Sequence, residues 1–164
     1  MRRFLLTATA MLLVLLLQWP AVAEAITAPE LRGSKSMQDL SSDMHGRDLQ
    51  QKEFLKMNLD GTDFSASDLR GSVFNTTQLQ DANFAGADLR DVVAFSSRFD
   101  RADLRQARLD NGMLLQSKFT DAEIDGADFT NAVLDQPQIK QLCARATGVN
   151  ELSGLSTADS LGCR

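Results

Sequence analysis

One histidine, two cysteines, a single tryptophan, three prolines and no tyrosine are all that the 164 residues hold of these types. His45, beside Asp43 and Asp48, supplies at most half of a general-base pair, and one imidazole without a second histidine makes a poor metal site. The sequence has no glycine-rich phosphate loop, no nucleophile triad and no calcium loop of defined ligand spacing. No catalytic, cofactor-binding or metal-binding residue is therefore assigned, and an enzyme is not expected. Positive charge is also scarce. Without its first 25 residues the chain has 15 basic against 21 acidic residues, a net charge of −6. Such a surface repels phosphate backbones, which excludes ordinary nucleic-acid binding. Only one long apolar run exists, Phe4 to Leu17, and no other stretch approaches the roughly 18 to 20 residues that cross a bilayer.

That run follows Arg2 and Arg3 and precedes Ala21-Val22-Ala23-Glu24-Ala25, the pattern of an export signal over residues 1–25, cleaved after Ala25 with Ala23 as the competing site. Arg2-Arg3-Phe4-Leu5 is similar to a twin-arginine signal, but the residue usually found between the arginines and Phe-Leu is missing, so a general secretory route is expected. Cys143 and Cys163 both fall in the exported part. An even count outside the cytoplasm is most simply a disulfide, with two independent buried thiols as the alternative.

A period of five organises the rest. Every fifth residue from Leu49 through Phe54, Leu59, Phe64 and onward to Leu134 is large and apolar, except Ala94. From Thr62 to Ala132 the residue two places before each of these centres is small or β-branched. Five matches neither the 3.6 of a helix nor the 2.0 of a strand. It requires a chain that turns a corner every fifth residue, so that four pentapeptides close a 20-residue square coil. Coils stacked about 4.8 Å apart would then ladder Phe64 over Phe84, Leu104 and Ile124 inside the column, and Leu59 over Leu79, Phe99 and Phe119.

The units Ala82-Asn83-Phe84, Ala87-Asp88-Leu89, Ala102-Asp103-Leu104 and Ala127-Asp128-Phe129 resemble those of pentapeptide repeat proteins. The resemblance covers residues 49–135 and implies an all-β solenoid, a right-handed quadrilateral β-helix of about four coils with short α-helical caps. Arg47, Lys52 and Met57 depart from the small residue the pattern wants. Val92-Val93-Ala94-Phe95 also departs, which predicts a bulge or a void beneath Ala94. The ends, Ile26 to Gly33 and Leu142 to Arg164, resemble exported pentapeptide proteins of the thylakoid lumen in cyanobacteria and chloroplasts. A lumenal location follows as the expectation, with the periplasm as the alternative.

A stack of coils leaves an open edge at each end. Residues 26–48 are expected to cover the first coil, with Met37, Leu40 and Met44 as a helical stripe. At the other end, within 136–164, Pro137 suits a first helical position and Ile139, Leu142, Cys143 and Ala146 follow at helical spacing; a second short helix is expected from Ser156, with Asp159 three residues on.

Sorting the outward positions by side of the square separates one apolar wall from one acidic wall. Leu55, Val73, Val93, Phe95, Met113, Leu115 and Val133 share the first; the opposite side carries Asp63, Asn83, Asp103, Glu123, Ser65, Ala85, Arg105 and Asp125. A contiguous exposed apolar strip marks a contact surface, unless the protein's own terminal segment folds over it. The first functional expectation is a non-enzymatic scaffold or assembly factor that docks a thylakoid membrane complex or a lumenal protein through this wall. The alternatives are a duplex mimic that occupies a DNA-binding enzyme, which the export signal opposes, and a weak metal-binding protein or a small-molecule or metal-dependent enzyme.

Overall fold

A computed structural model describes residues 42–164. The export signal, Met37 and Leu40 lie outside the described residues. Fifteen parallel bridges run down the chain, each joining residue i to residue i + 20, from Asp43↔Asp63 to Met113↔Val133. Each side of the square contributes only one bridged residue, flanked by corners, so the sheet is built of steps rather than long strands. We name the four sides by their centres: A (Met44, Phe64, Phe84, Leu104, Ile124), B (Leu49, Leu69, Leu89, Leu109, Phe129), C (Phe54, Phe74, Ala94, Leu114, Leu134) and D (Leu59, Leu79, Phe99, Phe119). The centres point into one core, and all are buried except the half-buried Leu49. Phenylalanines stack along the axis, Phe54 on Phe74 at 4.6 Å, Phe64 on Phe84 and Phe99 on Phe119 both at 5.0 Å, while Phe64 meets Phe54 and Phe74 edge to face, as Phe74 does Phe84. Both geometries suit the ring quadrupole.

The corners explain the period. The residue two places after every centre from Met44 to Phe129 has positive φ, from Gly46 at 62° to Asn131 at 57°, and only five of these eighteen corners are glycine. At most corners the N–H of the following residue closes a four-residue turn onto the carbonyl of the centre, as Ala82 does onto Leu79 and Ala87 onto Phe84. Positive φ at the third position is what such a turn demands. The residue that closes the turn lies against the shaft, fully buried at Ala82, Ala102 and Ala107, and this crowding favours a small side chain there.

One corner is made differently. Between sides C and D, no backbone bond closes Phe54 to Met57, Phe74 to Thr77 or Ala94 to Ser97. Hydroxyls from the next coil take that place. Thr77 donates to the Phe54 carbonyl, Ser97 to that of Phe74 and Ser117 to that of Ala94. The same Ser97 and Ser117 hydroxyls accept from the N–H of Thr77 and Ser97, at 3.0 and 2.9 Å. A continuous hydroxyl ladder thus ties coil to coil along this edge.

Two expectations are corrected. The coil begins before residue 49, since Asp43 bridges Asp63 and Met44 is 2% exposed in the column rather than on a covering helix. Arg47 and Lys52 are exposed there, so this coil forms without the small inward residue. Nor is there a bulge at Val92–Phe95. Val93 bridges Val73 on one side and Met113 on the other, and the backbone bonds from Val93 to Ser72 and from Ala94 to Met113 keep register at 3.0 and 2.9 Å. The position after a centre faces out whatever its size, and Phe95 follows that rule.

After the last coil come α1 (Gln136–Cys143), with proline in its first turn, and α2 (Thr157–Leu161), whose N-cap Ser156 accepts from the Asp159 N–H. They are joined by the Cys143–Cys163 disulfide, with Cα atoms 5.5 Å apart. Leu142 and Leu161 enter the core. Polar groups at the end of the stack find partners in this segment: the Phe129 N–H donates to Ser160 Oγ, the Gly126 N–H to the Thr147 carbonyl, and Arg145 to the Phe119 carbonyl. These backbone groups of an open β edge are thereby satisfied rather than left to pair with another chain.

Candidate interaction wall

On side C the residues before each centre, Glu53, Val73, Val93, Met113 and Val133, bridge one another in a single row five deep. At about 4.8 Å per step the row is about 19 Å tall. Beside it run Leu55, Asn75, Phe95, Leu115 and Asp135. Leu55, Phe95, Met113 and Val133 are 48%, 43%, 52% and 45% exposed, and Val73, Val93 and Leu115 are half-buried among them. The structure therefore brings all seven apolar residues of the strip onto one face. Two of its polar members turn back to the backbone. Asn75 Oδ1 accepts the Phe95 N–H at 3.1 Å and Asp135 Oδ2 accepts the Gln116 N–H at 2.6 Å, which removes two donors that would otherwise need water. The C-terminal segment bonds to the end of the stack and to the corner between sides A and B, leaving this wall uncovered by it.

Side A has the opposite character. Its outer row is Asp43, Asp63, Asn83, Asp103 and Glu123. Several of these side chains are occupied locally, accepting from the backbone two residues on, as Asp63 does from Ser65 and Asn83 from Ala85. The Ser65 hydroxyl and N–H hold the Asp63 carboxyl below its ordinary value, and the Arg105 guanidinium does the same for Asp103 while bridging to Glu123 at 3.3 Å. His45 Nδ1 lies 2.8 Å from Ser65 Oγ, whose own proton goes to Asp63 Oδ1 at 2.6 Å. That order is the reverse of an activated serine, since the hydroxyl proton is held by the carboxylate and not by the imidazole. Side B carries mixed-sign rows: Arg70 joins Asp68 at 2.6 Å and reaches Asp88 at 3.8 Å, and Arg90 joins Asp88 at 2.6 Å. Exposed pairs of this kind contribute about 0 to 1 kcal/mol each. Among the described residues no three His, Cys, Asp or Glu side chains converge as a metal site would need, and no helix is long and apolar enough to cross a membrane.

A second apolar exposure has no periodic signature in the sequence. Val149, Leu152 and Leu155 are 54%, 77% and 42% exposed on the loop before α2. Fully buried Asn150 anchors that loop, its Nδ2 donating to the carbonyls of Gln106 and Gly126 and its Oδ1 accepting from the N–H groups of Leu152 and Ser153.

Comparison with known proteins agrees with this architecture. The sequence profile described as pentapeptide repeats matches residues 58–93 and 97–136 in eight copies. A pentapeptide repeat protein from the Arabidopsis thaliana thylakoid lumen is 32% identical, the match covering 74% of this chain and 91% of that one, with a TM-score of 0.42. HetL, a pentapeptide repeat protein involved in heterocyst differentiation regulation from the cyanobacterium Nostoc, is 24% identical over 55% of this chain and 41% of its own, with a TM-score of 0.31. QnrB1, a plasmid-mediated fluoroquinolone resistance protein, is 20% identical over 55% of this chain and 56% of its own, also at 0.31. A search of curated proteins gave no match. The chain belongs to the pentapeptide repeat family, and its fold is the right-handed quadrilateral β-helix of that family. Proteins of this family are generally structural or protein-interaction modules.

Proposed function

We propose that this protein is a scaffold or assembly factor of the thylakoid lumen that docks a protein partner through side C, with Leu55, Val73, Val93, Phe95, Met113, Leu115 and Val133 as the contact surface. The observation that carries the reading is the exposure of four large apolar side chains on one flat face while the C-terminal segment packs elsewhere. A face held by parallel bridges and a hydroxyl ladder loses little freedom on binding, so its apolar area is available for affinity. The same reading takes residues 1–25 as the export signal, the column that begins at Asp43 and runs to 135 as the repeat domain, and 136–164 as the closing cap with its disulfide. The signal pattern and a 32% identical relative from a thylakoid lumen support the compartment. Val93→Asp with Val133→Asp leaves thermal unfolding close to that of the wild type and abolishes partner capture from lumen extract. Capture that survives both substitutions overturns the docking surface.

A further inference from the structure

Among the described residues every exposed large apolar side chain falls in one of two groups. Leu55, Phe95, Met113 and Val133 form the wall on side C, and Val149, Leu152 and Leu155 form a knob at the corner between sides A and B. The two groups lie on different parts of the square, and a single protomer cannot bring its own knob to its own wall.

The knob is built to hold its shape. Asn150 is 0% exposed and uses both side-chain ends, two bonds to the column and two to the loop. Gln106 reinforces it, its Nε2 donating to the Val149 carbonyl at 3.1 Å and its Oε1 accepting the Glu151 N–H at 2.9 Å. Within the loop the Asn150 N–H reaches the Leu155 carbonyl at 2.9 Å and the Gly154 N–H the Asn150 carbonyl at 2.8 Å. A tight loop fixed at so many points, with a leucine at its tip 77% exposed, is a pre-organised apolar contact. A leucine that merely filled space would be covered.

Charge tells the two surfaces apart. The knob rises beside the acidic side A, with Glu151 exposed on the loop and Asp125 below it. The wall adjoins the opposite sign. The row of side D nearest to it is Asn58, Gln78, Arg98 and Lys118, which contains no carboxylate, and Lys56 stands on the intervening corner. Arg98 already pairs with Asp100 at 2.9 Å, whereas Lys56 and Lys118 make no ion pair among the described residues.

We infer that the knob of one copy docks on the wall of a second copy, Leu152 resting on Val93 and Phe95 with Glu151 toward Lys118, so that the protein self-associates head to tail. The inference rests on the reading of side C as a docking surface and adds its occupant. The contact is heterologous, using two different patches, so it leaves one free wall and one free knob at the ends of every open assembly. Centred on three side chains, it belongs to the small, transient class below about 1,200 Å² of total buried surface.

The test is sedimentation velocity on the purified protein over a wide concentration range, with Leu152→Asp and the Val93→Asp, Val133→Asp double variant, each checked for an unchanged thermal transition. The wild type gains mass with concentration beyond a dimer. Each variant alone associates at least about tenfold more weakly, as expected when a central contact is removed. An equimolar mixture of the two variants forms a heterodimer that grows no further, because only one good knob and one good wall remain. A wild type that stays monomeric, association unaffected by Leu152→Asp, or a mixture that does not pair overturns the inference. Loss of partner capture by the wall variant in lumen extract, with the wild type monomeric, would sink self-association and leave the docking surface standing.

Discussion

Ser72 and Ser97 occupy equivalent places two residues before a centre, and both are fully buried, yet their hydroxyls have different fates. Ser97 Oγ accepts the Thr77 N–H and donates to the Phe74 carbonyl, joining two coils, while Ser72 Oγ has no partner. Removing Ser97 Oγ strands the Thr77 N–H and the Phe74 carbonyl, and a buried orphan group costs about 1 to 3 kcal/mol. Removing Ser72 Oγ takes away a buried hydroxyl that bonds nothing. Chemical denaturation therefore finds Ser97→Ala destabilised by about 1 to 3 kcal/mol and Ser72→Ala neutral or stabilised. Equal losses in the two variants would show that the ladder does not hold the corner between C and D. The sequence does not separate these serines. At a slot that accepts alanine, a bonded hydroxyl and an idle one are spelled alike, and only the missing turn bond at this corner distinguishes them.

The corner, not the strand, is the element that this sequence encodes, which is why a five-residue pattern of one large and one small residue is enough to reach the column. The pattern weakens where its physical basis weakens. Met44 reads as part of a helix because Arg47 and Lys52 follow it where small residues are expected, although a centre can be buried without them at the end of a stack. Phe95 reads as a defect because it is large, although an outward position does not constrain size. The wall is legible because five-fold spacing assigns each residue a side; the knob is not, since residues 149–155 obey no period and their shape depends on the Asn150 anchor. In the closing segment, α1 and α2 are held by the disulfide as well as by Leu142 and Leu161. A loop of this length adds about 3 kcal/mol by the chain-entropy account. Cys163→Ser should therefore loosen α2 first. Amide exchange at Phe129, whose N–H bonds Ser160 Oγ, speeds up, while Phe84 deep in the column keeps its protection. Uniform loss along the column, or no change at Phe129, would contradict a segment that closes only the last coil.

The repeat domain and its cap form a narrow column with a different chemistry on each side: acidic and self-satisfied on A, mixed in sign on B, apolar on C, polar to basic where D meets C. Because coils stack in register, each residue's side is fixed by its number, and a surface of one character can run the full height of the column without any long strand. That is how a chain with few aromatic residues and little chemistry of its own can present a recognisable face. The decisive measurement is site-specific photocrosslinking in intact cells that make the protein, with the crosslinker placed at Phe95 on side C or at Ala85 on side A. Abundant, specific protein adducts from position 95 and few from position 85 are the predicted result; adducts mainly from position 85, or none from position 95, would show that side C is not where this protein meets its partners.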